Sequence, residues 1–131
     1  MKHKLRLSDY LEHMQQAAAL ATSYVKALDK ASFLQDKRTQ QAVMMNLVIL
    51  GEAAGNVVAV EPVFAQDHPE IPWRVIRATR NRMAHGYFDI NLDVIWDTVQ
   101  TALPALLQVL PRVIDAARRD DASPPPPSAA S

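Results

Sequence analysis

Apolar positions in the first part of the chain recur with helical spacing. Leu7, Leu11, Met14, Ala18, Ala21, Val25 and Leu28 step by four or three residues, which puts them on one face of an α-helix. Ser8 or Asp9 is suited to cap the start of this helix, because a short oxygen-bearing side chain can accept from the free N–H groups of a first turn. A second stripe follows Asp36, another capping residue, and runs through Val43, Leu47, Leu50, Ala54 and Val57. Pro62 ends it, because the pyrrolidine ring cannot continue the backbone ladder. Residues 61–72 hold three prolines and read as a connector.

A third, shorter helix is expected after Pro72, a residue suited to a first helical position. It carries Trp73, Ile76 and Met83 and ends near Gly86. Asp89 or Asn91 then caps a fourth stripe of Leu92, Ile95, Val99, Ala102 or Leu103, Leu106, Leu110 and Val113. Pro104 and Pro111 lie inside that stripe, where each removes a backbone donor and kinks or splits the helix. The fold class that follows is all-α: an antiparallel up-and-down four-helix bundle, its last helix kinked or split at Pro104. Apolar helices in so short a chain leave surface for a second copy, so a homodimer is expected.

Composition sharpens this picture. Only three glycines occur among 131 residues, which favours helices over a turn-rich β fold. From about Asp120 onward periodicity stops and four consecutive prolines appear. The bundle is therefore drawn over residues 1–118, and residues 119–131 as a disordered Pro/Ser/Ala-rich tail. The absence of cysteine excludes disulfides and cysteine-based zinc sites. Fourteen basic residues balance fourteen acidic ones, so no overall field draws in polyanions. The most apolar stretch, residues 42–60, is interrupted by Asn46, Glu52 and Asn56, too polar a run for a bilayer-spanning helix. Nothing at the N-terminus resembles a secretory signal, and a cytoplasmic location is expected.

Chemistry concentrates between Trp73 and Phe88. Arg74, Arg77, Arg80 and Arg82 fall within nine residues, followed by His85 and Tyr87. Arg74, Arg77 and Arg80 are three apart and drift slowly around one side of a helix. Guanidinium groups match phosphate geometry, an imidazole exchanges protons near neutral pH, and a phenol is a possible donor or nucleophile. One geometric objection arises. Five residues of regular helix separate Arg80 from His85 by about 140° and roughly 7.5 Å. Either the helix ends or distorts before Gly86, or a second subunit completes the site. Glu52, on an otherwise apolar helix, either holds Arg80 or Arg77 or faces solvent. Asn56 could share that place. Gly51 and Gly55 have the spacing that permits close helix packing. Trp73 and Trp96 could stack on a base or belong to the core. His3, His13 and His68 are scattered, and no metal-ligand cluster is visible.

The string from Arg80 to Tyr87 fits R-x-x-x-x-H-x-Y, and the chain resembles the HepT-like toxins of the HEPN superfamily. The likeness extends to Leu50-Gly51-Glu52-Ala53, to Pro69-Glu70-Ile71-Pro72-Trp73, to Tyr87-Phe88-Asp89-Ile90, to Trp96 and to Leu103-Pro104. It spans residues 5–114. The resemblance implies a dimer in which two motifs face one cleft, and a metal-independent RNase needing no cofactor. His85 would be general acid/base, Arg80 would bind the scissile phosphate, and Asn81 matches the polar position that often follows the arginine. The RNA 2′-hydroxyl would attack, leaving a cyclic phosphate. Such toxins form type VII toxin–antitoxin systems with an MntA-like nucleotidyltransferase, which uses ATP to place AMP on the motif tyrosine, here Tyr87. Two alternatives stand beside this reading: a non-catalytic module that binds a nucleotide or partner, and an adaptor that serves only as the nucleotidyltransferase's substrate.

Overall fold

The computed structural model describes residues 5–86 and 89–123. They form α1 (Leu7–Val25), α2 (Lys30–Gln35), α3 (Lys37–Val60), α4 (Pro62–Asp67), α5 (Trp73–His85), α6 (Leu92–Asp97) and α7 (Leu103–Ala122), with a π-helical segment at Thr98–Ala102 between the last two. No strand occurs among the described residues. The four expected helices are α1, α3, α5 and the α6–α7 pair. α3 lies between α1 and α5, and α7 covers the other side of α1.

The stripes are the core. Leu11, Met14, Val43, Leu47, Val57, Leu110 and Val113 are all buried. Leu103, not Ala102, continues the last stripe inward. Leu28 falls outside α1, which ends at Val25, and its N–H closes a turn onto the Val25 carbonyl. Neither Ser8 nor Asp9 occupies the cap position of α1. Arg6 does, and the Asp9 carboxylate accepts from the Arg6 N–H at 2.8 Å. Asp9 therefore acts from the third helical position, where a carboxylate reaches back to the start of the helix. Ser8 is buried, and its N–H meets the carboxylate of Asp121 at 3.2 Å. That contact ties the end of α7, which runs on past residue 118, to the beginning of α1.

Asp36 caps α3 as expected. It accepts from both the N–H and the hydroxyl of Thr39. Those bonds, the hydroxyl foremost, hold its carboxyl below the usual value of 3.8. A lowered folded value stabilises the fold above the unfolded value, so this contribution is lost as pH falls below about 4.

Two short helices are additions to the expected four. In α2, Phe33 is fully buried and packs on Trp96 with ring centroids 5.3 Å apart. Buried Gln40 ties α2 to α3 by donating to the Phe33 carbonyl at 2.9 Å. α4 occupies the segment read as connector. Pro62 ends α3 as expected, yet it also starts α4 from its first turn, where its missing N–H costs nothing.

Pro104 marks the split in the last helix. It sits in the first turn of α7, just after the π segment, where the Leu103 N–H bonds to the Thr98 carbonyl one residue further back than in an α-helix. The wider turn accommodates a ring that would otherwise press on the preceding turn. Pro111 stays within an unbroken α7.

α3 is long and apolar enough to cross a membrane, contrary to the expectation drawn from Asn46, Glu52 and Asn56. Half of its apolar window is buried inside the bundle, and the Asn46 amide is satisfied by the Ala42 carbonyl at 3.0 Å. It is the central helix of the core.

Candidate active site

The arginine-bearing helix α5 is attached mainly to α3. Only Ile76 and Met83 of α5 are buried, so most of the helix surface is free for polar residues. The two helices approach closely because α3 has a glycine at the crossing. A methyl group placed on Gly51 would lie 2.1 Å from Arg80 Cβ and 3.2 Å from the Ile76 carbonyl oxygen. At Gly55 the nearest atom would be Arg77 Nε at 3.8 Å, an ordinary contact. The glycine pair is a packing device, and the residues it seats are the two arginines.

Arg80 is held from two sides. Its Nη2 forms an ion pair with Glu52 Oε1, and its Nη1 donates to Asn81 Oδ1 at 3.2 Å. The third nitrogen, Nε, is buried and has no hydrogen-bond partner among the described residues. The ion pair is partly exposed, so its contribution to stability is small. Its effect is to fix the guanidinium. Around it lies a polar cleft of about 240 Å³, lined by Glu52, Asn56, Arg77, Arg80 and Asn81 over the two glycines. Two guanidinium groups face one carboxylate there, so the cleft carries net positive charge suited to an anion with planar oxygen geometry.

His85 stands apart. α5 remains α-helical through His85, and Gly86 follows as its C-cap. The distortion that would have swung His85 toward Arg80 within one chain does not occur. His85 is exposed in the last turn together with Arg82. It lies four residues after Asn81, which lies four after Arg77. Such residues stack along one face. The stripe Arg77–Asn81–His85 thus leads from the cleft to the helix end, and Asn81 connects it to Arg80. Tyr87 lies outside the described residues.

Arg74 lines a second cleft on the α4 side, beside Arg77, whereas Arg82 faces α6. Trp73 is half-buried, and its indole N–H donates to the carbonyls of Ala65 and His68 at 3.0 and 3.1 Å. His68 is paired with Glu70 and stacked on Phe64. Among the described residues, no group of three or more His, Asp or Glu side chains could hold a metal ion. The wall that α4 contributes beside Trp73 went unanticipated because residues 61–72 looked like loop. Pro62 followed by Val63, Phe64 and Ala65 is the signal that could have revealed it.

A family model described as "Ribonuclease HepT-like" matches residues 14–113. The chain belongs to the ribonuclease HepT-like family. A "Probable ribonuclease HepT" of Thermococcus cleftensis is 39% identical over 75% of this chain and 86% of its own length. A "Putative RNase" of Methanocaldococcus jannaschii is 32% identical over 82% of this chain and 84% of its own. Another, of Caldanaerobacter subterraneus subsp. tengcongensis, is 30% identical over 80% and 91%. No solved structure matches the chain significantly. The HepT-like matches span α3, α5 and the polar cleft between them.

Proposed function

We propose that the protein is a metal-independent endoribonuclease acting as a homodimer, the toxin half of a type VII toxin–antitoxin pair. The observation that carries the reading is the fixed guanidinium of Arg80 in a positive cleft, on the same helix as an exposed histidine. In the proposed reaction, Arg80 and Arg77 bind the non-bridging oxygens of a phosphodiester and stabilise the charge that grows there. His85 takes the proton of the 2′-hydroxyl. The 2′-oxygen bonds to phosphorus, and the bond to the 5′-oxygen breaks. Water supplies the departing oxygen with a proton, and the imidazolium of His85 returns its own proton to solvent. The products are a 2′,3′-cyclic phosphate and a 5′-hydroxyl. Dimerisation supplies what the helix geometry withholds from one chain, because a second α5 can bring its His85 face to the first chain's Arg80 face. The exposed side chains of Met45, Ile49 and Val75 offer apolar surface for such a contact.

The test uses the purified chain in excess EDTA with a single-stranded RNA. Cleavage is expected at unmodified strength, with cyclic phosphate ends by mass spectrometry, and a substrate with 2′-deoxyribose at the cleaved position is expected to survive. Tight RNA binding with no products would instead favour a non-catalytic binding module.

The same reading makes Tyr87 the acceptor of AMP from an MntA-like nucleotidyltransferase and ATP. The phenol oxygen attacks the α-phosphorus, pyrophosphate leaves, and the phenolic proton is lost. Two residues after His85, the added bulk and negative charge would compete with RNA phosphate. Intact mass after incubation with an MntA-like nucleotidyltransferase and ATP is expected to rise by one or more AMP units. A rise that persists in Tyr87→Phe would remove Tyr87 as the acceptor. This account places the protein in the cytoplasm, with its RNA and its partner enzyme.

A further inference from the structure

Next to the polar cleft around Arg80 lies a second, larger groove whose chemistry the phosphate site does not use. It measures about 470 Å³ and lies between α5 and the end of α3 with α4, within the roughly 300–1,000 Å³ typical of small-molecule sites. Val58, Pro62, Ala65, Trp73 and Ala78 supply its apolar lining. Arg77 and Asn81 line both this groove and the polar cleft, so the two sites adjoin.

We infer that this groove is a nucleobase subsite, which receives the base of the nucleotide adjoining the phosphate held at Arg80. The inference rests on the ribonuclease reading and adds a recognition element to it. Trp73 provides an indole fixed in advance. Its N–H is already satisfied by two backbone carbonyls, so the ring gains nothing by turning toward another polar group. The residue is half-buried and lines the groove, and a flat aromatic ring is what an unstacked base requires. Trp96 makes the contrast, since its ring is committed to Phe33. Arg74 and Arg77 line the groove and no carboxylate does. Apolar lining, two guanidinium groups and two residues shared with a phosphate cleft together match a nucleotide better than an apolar peptide. Gln66 and Asn81 add amides, which can both donate to and accept from a base edge.

Two probes separate base from backbone: a 2′-O-methyl dinucleotide, which cannot undergo 2′-oxygen attack, and its analogue with one base removed. Each carries a fluorophore, and binding to the full chain is read by anisotropy. The dinucleotide is expected to bind about tenfold more tightly than the abasic analogue. Ala78→Leu, which fills the groove from an exposed position with a good helix former, should remove that difference and leave abasic binding unchanged. A parallel reading uses Trp96→Phe, which leaves Trp73 as the sole indole, and whose fluorescence the dinucleotide should quench more than the abasic analogue does. Equal affinity for the two probes, binding by neither, or an Ala78→Leu variant that keeps the base preference would overturn the subsite. Cleavage of RNA that is unchanged when the adjoining base is removed would remove the subsite and leave the ribonuclease reading intact. Base preference without any cleavage would do the reverse.

Discussion

Replacing His85 by alanine is expected to lower RNA cleavage by about 10²-fold or more, the usual worth of a positioned acid or base. Folding should be unaffected, because the side chain is exposed at the end of α5. Arg80→Ala should have an effect of similar size through the lost phosphate contact. The informative experiment mixes the two dead variants. If each site combines Arg80 of one chain with His85 of the other, a mixed dimer restores one intact pair and leaves one doubly damaged. Random exchange of subunits then returns about a quarter of wild-type activity. If both groups act from one chain, mixing restores nothing. The regular helix through His85 favours restoration, because it keeps the two side chains of one chain on different faces. Equal cleavage by wild type and His85→Ala would assign the activity to a contaminant.

Gly51→Ala should destabilise the fold, against the trend for helix interiors. Alanine in place of glycine ordinarily stabilises an internal helical position by about 1 kcal/mol. Here the new methyl would overlap Arg80 Cβ at 2.1 Å, and Cβ is fixed to the backbone and cannot swing aside. The helices must separate, at a cost of about 1–3 kcal/mol for overpacking. Any net loss should be accompanied by weaker activity, because separation moves Arg80 away from Glu52. Gly55→Ala is the control. Its methyl would meet only the flexible end of Arg77 at 3.8 Å, so the propensity gain of up to about 1 kcal/mol should survive. Urea unfolding of the two variants checks the pair. An ordering in which Gly51→Ala is the more stable would refute the close-crossing account.

The long helices were readable because each buries a continuous stripe, from Leu11 and Met14 in α1 to Leu110 and Val113 in α7. The position of the split in the last helix was readable from Pro104. The way it is made was not, since a π segment depends on how the ring meets its neighbours. α2 and α4 were missed because six-residue helices are too short to display a period. Phe33 is buried through long-range packing, and the prolines of residues 61–72 looked like punctuation. At the site, local spacing grouped Arg74, Arg77 and Arg80, of which Arg77 and Arg80 share the polar cleft while Arg74 lines the neighbouring groove; Asn81 was marked by the family resemblance alone. The contact between Arg80 and Glu52 joins two helices, so spacing could raise it only as one of two options. The place of His85 follows from helix continuity, which a glycine at the next position leaves open until the backbone is known.

The narrow attachment of α5 has an energetic meaning. Most of the fully buried side chains belong to α1, α3 and α7, whereas α5 has none, its Ile76 and Met83 being buried less completely. Local opening free energy follows the apolar contacts that must be broken. α5 therefore sits on a lower rung than the frame that carries it, and can detach while that frame stays folded. The helix with the arginines and the histidine should therefore become accessible to a protease before α1, α3 and α7 do. Whatever clamps α5 against α3, be it a second copy or a bound nucleotide, also lengthens the life of the protein.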